Sequence, residues 1–503
     1  MALISDTYGE AIQAETRAWG EIKKGFTHFA DGDVVLAKIT PCFQNGKSAV
    51  VRGLTNSIGA GTTELHVIRP IAETMYPEYV LIYFRSPGFL NNGVEKMTGS
   101  AGQKRVPREY VAYNPFPLPP LAEQRRIVAK VDQLMGLCDE LESRQQAKRA
   151  ARERLVASAL DKLLSARDAA ERAEHWHRLR DHFDLLFDTP ATIPQLRQAI
   201  LQLAVQGQLV PQDPTDEPAA EFVRAIEEFK TVASRQSTRI EPLDSADAGF
   251  QLPSGWLAVR LGDLALNRDG ERIPVSKEIR AARKGEYDYY GASGVIDSID
   301  DFLFDKPLLL IGEDGANLIN RSTPIAFIAK GKYWVNNHAH VLDGVSLNFL
   351  RYLELFVNAI DLKPYVTGTA QPKMNQAKMN SIPVALPLLA EQKRIVAKVD
   401  QLLSLCDALE AKLTQSQSAS ESLVSAAVHH LLSKTARTEP IVKKTWIRCI
   451  KQCKSLQHIG LHGSSRPRHF LAPWWGLKSV TQNFNVHDHV KILRAKFQSD
   501  GPD

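Results

Sequence analysis

Five groups of residues have types and spacing that could carry chemistry, and most fail on inspection. Gly46-Lys47-Ser48 ends like a phosphate-binding loop, but that pattern needs a glycine five residues before Gly46, and position 41 is Pro41. Asn114-Pro115-Phe116-Pro117 has the residues of an adenine-methyltransferase motif in the wrong order, with no glycine-rich cofactor loop after a strand upstream. Cys449, Cys453, His458 and His462 offer four metal ligands. They lack the arm of about 12 residues that separates the ligand pairs of a zinc finger. Asn336-Asn337-His338-Ala339-His340 could be a catalytic or metal-binding pair, yet no carboxylate stands near it in the sequence. None of these four groups completes a catalytic or metal site in the sequence, so none is expected.

The fifth group points to nucleic acid. Lys277, Arg280, Arg283 and Lys284 follow one another along a turn-rich stretch and lead into Tyr287 and Tyr289. Cations for phosphates beside aromatics for bases or sugars make a reasonable DNA surface. A solvated charged face beside core tyrosines has the same spelling. Two glycine loops are better candidates, because they recur. Gly99 to Arg105 carries Lys104 and Arg105, and Gly368 to Lys373 carries Lys373 at the matching place. Glycine lets a backbone approach closely, and a neighbouring cation can meet a phosphate.

What must position these loops is a duplicated element. Residues 121–142 and 389–410 differ only at Arg125/Lys393, Met135/Leu403, Gly136/Ser404 and Glu140/Ala408. A fixed internal period dictates architecture, and this one is domain-sized. In each copy prolines precede a run with apolar residues at steps of four and three. They are Ile127, Val131, Leu134, Cys138 and Leu141, then Ile395, Val399, Leu402, Cys406 and Leu409. That is a heptad-like seam on a helix opened by proline. A helix from Leu121 to Ser165 is roughly 65 Å long at about 1.5 Å per residue. Two equal helices with one apolar stripe each bury the stripes most simply against each other, as an antiparallel coiled coil. The other arrangement packs each helix on its own domain.

Length allows two to four domains. The expected boundaries are a first mixed domain at 1–117, a long helix and connecting helices at 118–232, and a polar linker at 233–251. A second mixed domain follows at 252–386, then the second long helix at 387–435 and a tail at 436–503. Within the first domain, 33–40 and 63–69 read as strands, while Tyr79 to Phe84 fits helix or strand. Pro194 opens a helix with Leu196, Ile200 and Leu203 on one face and Gly207 as its stop. The net charge of +5 is concentrated in the tail, which has twelve Lys/Arg against four Asp/Glu, a balance of +8. The rest is therefore −3, so no overall basic field marks the chain. No apolar run spans a membrane and no basic-then-apolar leader is present, which predicts a cytoplasmic protein. Cys138 and Cys406 sit on the seams and read as small buried hydrophobes.

At this point the residues resemble a known family. Pro-Leu-Xaa-Glu-Gln-(Arg/Lys)-Arg-Ile-Val, present twice after globular modules, is similar to the specificity subunit of type I restriction-modification systems. The segments starting at Tyr289, Ile311 and Val335 look like a target recognition domain of that family, and Ile200 to Val210 like its joining segment. The resemblance covers roughly residues 20–435 and implies an α+β protein. Two mixed α/β target recognition domains would be separated by two long helices forming an antiparallel coiled coil. Each domain would read half of a bipartite, asymmetric site on double-stranded DNA. The helices would set the spacing and dock two methyltransferase subunits, and through them the restriction subunits. S-adenosylmethionine, ATP and Mg would be used by those partners and no cofactor by this chain. The first module lacks the Trp256-type opening of the second, and residues 436–503 match nothing in the first copy. A truncated or frameshifted, partly inactive subunit is therefore the alternative, followed by a coiled-coil adaptor without DNA specificity.

Overall fold

A computed structural model describes residues 3–435 apart from 11, 13, 14, 101, 236–238 and 369–370. The tail, with its four possible metal ligands, lies outside the described residues. The chain divides into two compact units. The first holds residues up to Ala151 together with the second long helix from Ser416 onward; the second holds Arg152 to Gln415.

In the first unit a three-stranded antiparallel sheet runs in the order Ser48–Val50, Val34–Ala37, Leu65–Ile68. The central strand is wholly buried. Val34 and Leu36 point into a core with Val80, Leu81 and Phe84, whereas Val35 and Ala37 point to the other face, with Ala49 and Leu65. That is the alternation a strand imposes when both faces are covered. Tyr79 to Phe84, which periodicity left open, is helical (Pro77–Phe84): Pro77 occupies its first turn, and five of its residues are buried.

The second unit has two four-stranded sheets. One runs Ala326–Ala329, Leu308–Gly312, Ala339–Asp343, Leu266–Asn267, all antiparallel. The other runs Phe304–Asp305, Lys332–Val335, Tyr287–Gly291, Gly294–Ile299, with one parallel pair at Tyr333 to Asp288. The helix Ile193–Val205 ends as expected at Gly207, whose φ is +68°. The Gln208 amide closes back on the Leu203 carbonyl at 2.9 Å. The stretch expected as a linker is tied down after its first residues. Ile240 is buried, its amide donates to Glu227 at 2.7 Å, and the Leu243 amide reaches the Ala258 carbonyl at 2.7 Å.

Both long helices are present, over Leu121–Leu164 and Leu389–Thr435. The first ends within one residue of the expected Ser165, and Asp168 then caps a new helix, Ala169–Asp181, by accepting from the Glu171 amide at 2.8 Å. Within the second unit, Val156, Leu160 and Leu163 from the end of the first long helix share one apolar core with Ile395 to Leu413 from the beginning of the second. An antiparallel helix pair places that end and that beginning in one core. The two seams are nevertheless used differently. Ile395, Val399, Leu402, Cys406 and Leu409 are at most 2% exposed, covered by their own domain and by Ile193–Val205. Ile127 and Val131 pack beside Tyr79 and Ile82 of the first domain, Leu134 and Cys138 are half-buried, and Leu141 is exposed. No described helix is long and apolar enough to cross a membrane.

Candidate nucleic-acid interface

The two units share a device that their sequences scarcely show. In each, the chain just past the central strand, at Ile39 or Asp314, pairs with a hairpin that clamps the glycine loop. Thr98 and Arg105 exchange backbone hydrogen bonds of 3.0 and 2.8 Å, and Thr367 and Lys373 exchange two of 2.8 Å. Just beyond each clamp, Val106 donates to the Lys38 carbonyl and Met374 to the Glu313 carbonyl, both at 2.8 Å. Lys38 follows the strand Val34–Ala37 and Glu313 follows Leu308–Gly312, so the positions correspond. On the neighbouring strand His66 pairs with Leu36, and His340 with Ile311. The Nε2 of each histidine meets the next carbonyl of its loop, Val106 at 3.1 Å and Met374 at 2.9 Å. Burial holds the His66 imidazole below its ordinary pKa, against the pull of that carbonyl.

Each loop is also held by an ion pair at its last residue. Arg105 grips Glu64 through two bonds of 2.9 Å, and Lys373 lies 3.1 Å from Glu313. Burial alone would push the Glu313 carboxyl up, but hydrogen bonds from Arg272 and Lys373 leave it below the ordinary value. Gly99 and Gly368 stand at φ +126° and +83°, where a Cβ would meet the Gln103 oxygen at 2.8 Å and the Gln371 oxygen at 2.6 Å. The second loop is one residue shorter between the same two clamps. What remains at the tips is exposed: Gly102, Gln103 and Lys104 in one unit, Gln371 in the other. A short helix follows each loop, Arg108–Tyr113 and Gln376–Asn380.

The candidate cations now separate. Among the described residues, Lys104, Lys277, Arg108 and Lys378 are exposed with no ion-pair partner, so they are available to phosphates. Arg105 and Lys373 are committed to carboxylates and serve first to hold their loops. Arg280 donates to Asp297 at 2.9 Å and lies over the Tyr289 ring, Lys284 is 2.6 Å from the same Asp297, and Arg283 pairs with Asp300 at 2.7 Å. Two cations on one carboxylate hold Asp297 far below the ordinary range, with Lys284 the larger influence. Tyr289 is 1% exposed, and its hydroxyl accepts from the Val275 amide at 3.0 Å. Tyr287 stacks edge-on against Phe302. This cluster was expected as a DNA surface or, in the other reading, as a charged face beside core tyrosines. Aspartates brought in by the strand Gly294–Ile299 and the turn after it pair with Arg280, Arg283 and Lys284, while Lys277 stays exposed.

The His338–His340 pair also differs from expectation. Carboxylates do surround it, delivered by the fold: His338 is 2.6 Å from Asp314, and His340 is 2.6 Å from Asp269. Arg272 lies 3.0 Å from Glu313 and 3.4 Å from Asp269. No group of three or more His, Cys, Asp or Glu among the described residues has the geometry to hold a metal ion. His340, Asp269 and Glu313 form a buried buttress under the glycine loop, with the His338–Asp314 pair at its exposed edge. Arg108, Lys378 and His66 went unnoticed in the sequence, and His340 was weighed only as half of a catalytic or metal-binding pair. The one available signal was that Thr98-Gly99 and Thr367-Gly368 precede their long helices by nearly equal distances.

Known proteins can now be set beside this geometry. The family profile described as "Type I restriction modification DNA specificity domain" matches residues 253–416. The chain is 37% identical over 465 residues to the Type I restriction enzyme EcoAI specificity subunit of Escherichia coli, covering 85% of this chain and 77% of that one. It is 35% identical over 446 residues to the EcoEI specificity subunit of the same organism, covering 83% and 75%. Among solved structures, the HsdS subunit from Thermoanaerobacter tengcongensis is 20% identical, with 90% of this chain and 88% of that chain covered and a TM-score of 0.40. With 37% and 35% identity to the EcoAI and EcoEI subunits sustained over more than two thirds of both chains, this protein belongs to the family of type I restriction-modification specificity subunits.

Proposed function

We propose that the two units read the two unequal halves of a bipartite DNA site, each presenting its clamped glycine loop to the duplex. The observation that carries this reading is the repeated clamp. The same bridge and histidine hold a loop in both units, each with an ion pair at its last residue to a differently placed carboxylate, while the residues at the tips differ. A conserved support under a variable tip suits modules that do one job on different targets. Lys104 in the first unit and Lys277 and Lys378 in the second meet phosphates and set register, while groups at the tips meet base edges. The long helices fix the distance between half-sites. They also dock two methyltransferase subunits, and restriction subunits join through these. The chain itself is non-catalytic; S-adenosylmethionine, ATP and Mg serve the partners. Adenine must leave the stack to be methylated, so the complex must tolerate distorted DNA.

The test is a genome-wide map of methylated adenine in cells expressing this chain with its methyltransferase partner. A two-part motif with unequal halves is the expected result. A motif with one half only, or a symmetric one, would refute the role of the first unit. No methylation, with the partner active beside another specificity chain, would refute the reading altogether.

A further inference from the structure

His338 stands at the rim of the second glycine loop with half of its side chain exposed. Its backbone is fixed on both sides. The amide donates to Asn336 Oδ1 at 2.8 Å, and the carbonyl accepts from the Glu313 amide at 2.8 Å. The ring is fixed as well. Its Nδ1 lies 2.6 Å from an Asp314 carboxylate oxygen, and Asp314 pairs through its backbone with Lys373 at the end of the loop. Gly315 then donates to the Pro372 carbonyl at 3.0 Å, one residue from the exposed tip at Gln371. The strand Tyr287–Gly291 reaches the same rim, because the Asn336 amide donates to the Tyr290 carbonyl at 3.1 Å. The other ring nitrogen, Nε2, has no partner among the described residues.

The matching place in the first unit is Glu64. It precedes His66 by two residues, as His338 precedes His340. Its carbonyl accepts from the Lys38 amide at 3.0 Å, as that of His338 accepts from Glu313. Glu64 gives both carboxylate oxygens to Arg105, whereas His338 keeps a polar atom unspent at the rim. One support therefore carries side chains of different hydrogen-bonding character in the two units.

A carboxylate only accepts, so the bond to Asp314 puts the ring proton on Nδ1, and in the neutral ring Nε2 is an acceptor. Phosphate offers acceptors alone and is the wrong partner for it. In the major groove the complementary groups are the exocyclic amines, adenine N6 and cytosine N4. We infer that His338 is a specificity-determining residue of the second unit: its Nε2 accepts from one such amine, and Asp314 is the positioning residue that selects the tautomer. This rests on the second unit's role as a DNA reader.

The test is the methylated-adenine map of cells expressing the methyltransferase partner with the natural chain, with His338→Ala or with Asp314→Asn. His338→Ala should relax a single base pair in one half of the motif, its preference falling roughly tenfold, with every other position kept. Asp314→Asn should act at that same pair in a different way. An amide can turn either its oxygen or its NH2 to Nδ1, so both tautomers arise and Nε2 becomes acceptor or donor. Adenine N6 and guanine O6 occupy the same place, as do cytosine N4 and thymine O4, so A·T and G·C in the same orientation should both be accepted. A natural A·T pair there identifies the amine as adenine's, and a natural G·C pair as cytosine's. Both side chains are partly exposed, so neither substitution opens a buried cavity. An unchanged motif with either variant, loss of all methylation with His338→Ala, effects at two different pairs, or an Asp314→Asn motif that exchanges A with T or G with C would overturn the inference. A natural chain without a two-part motif would instead refute the DNA-reading role itself, before any substitution is made.

Discussion

Leu141 and Leu409 occupy the same place in nearly identical helices, so truncating each to alanine isolates the contribution of tertiary cover. Leu409 is fully buried in a core shared with Val399, Leu402 and Cys406. Leu409→Ala removes its transfer free energy and leaves a cavity, a loss of about 2–5 kcal/mol. Leu141 is 42% exposed, so about half of a transfer free energy of about 1.5–3 kcal/mol is at stake, and water fills the gap without a cavity. Leu141→Ala should therefore cost about 1 kcal/mol or less by the same reckoning. Hydrogen exchange by mass spectrometry on the isolated chain, following peptides over 127–142 and 395–413, reads the two helices separately. Exchange over 395–413 should rise about 30-fold or more with Leu409→Ala, since each 1.4 kcal/mol is about tenfold, while Leu141→Ala should leave 127–142 within about fivefold of the natural chain. Equal effects at the two sites would show that the first helix is covered as completely as the second and would refute the asymmetry.

Other outcomes follow from the loops and their supports. Gly368→Ala forces a Cβ against the Gln371 oxygen at positive φ and should cost about 1–3 kcal/mol in thermal unfolding. Gly102→Ala, at φ +83° with open space around it, should cost less than Gly368→Ala, and the reverse order would contradict the clamp. Asp33 is held below the ordinary carboxylate range by Arg69 first, aided by the Ala30 amide and opposed by burial. The stability it contributes is present above the unfolded value of about 3.9 and is lost as pH falls through the lowered native value. Arg69→Met should therefore move acid unfolding of the first unit to higher pH, and an unchanged midpoint would mean that the pair contributes nothing. In DNA binding, Lys104→Ala should lower the salt slope by about one. Arg105→Ala should instead loosen the loop by freeing Glu64, seen as faster hydrogen exchange over 98–106.

Local order was legible from the sequence wherever a short-range pattern dictates it. The proline-led seams, the strand at Val34–Ala37 and the helix stop at Gly207 follow from neighbours within a few residues, while the duplication and the family resemblance follow from matching stretches of sequence. What the sequence could not tell was which charges are spent. Arg280 and Lys284 meet Asp297 only because a hairpin folds the strand Gly294–Ile299 back on Tyr287–Gly291. The kinship of His66 with His340 was equally hidden, since it depends on strand register: each stands opposite an equivalent residue of a central strand, and the intervening lengths differ. The fate of the seams was likewise decided in three dimensions. Two segments of almost the same sequence must form the same helix with the same stripe. Whether that stripe is buried depends on what other segments bring to it, and here Ile193–Val205 reaches only one of the two.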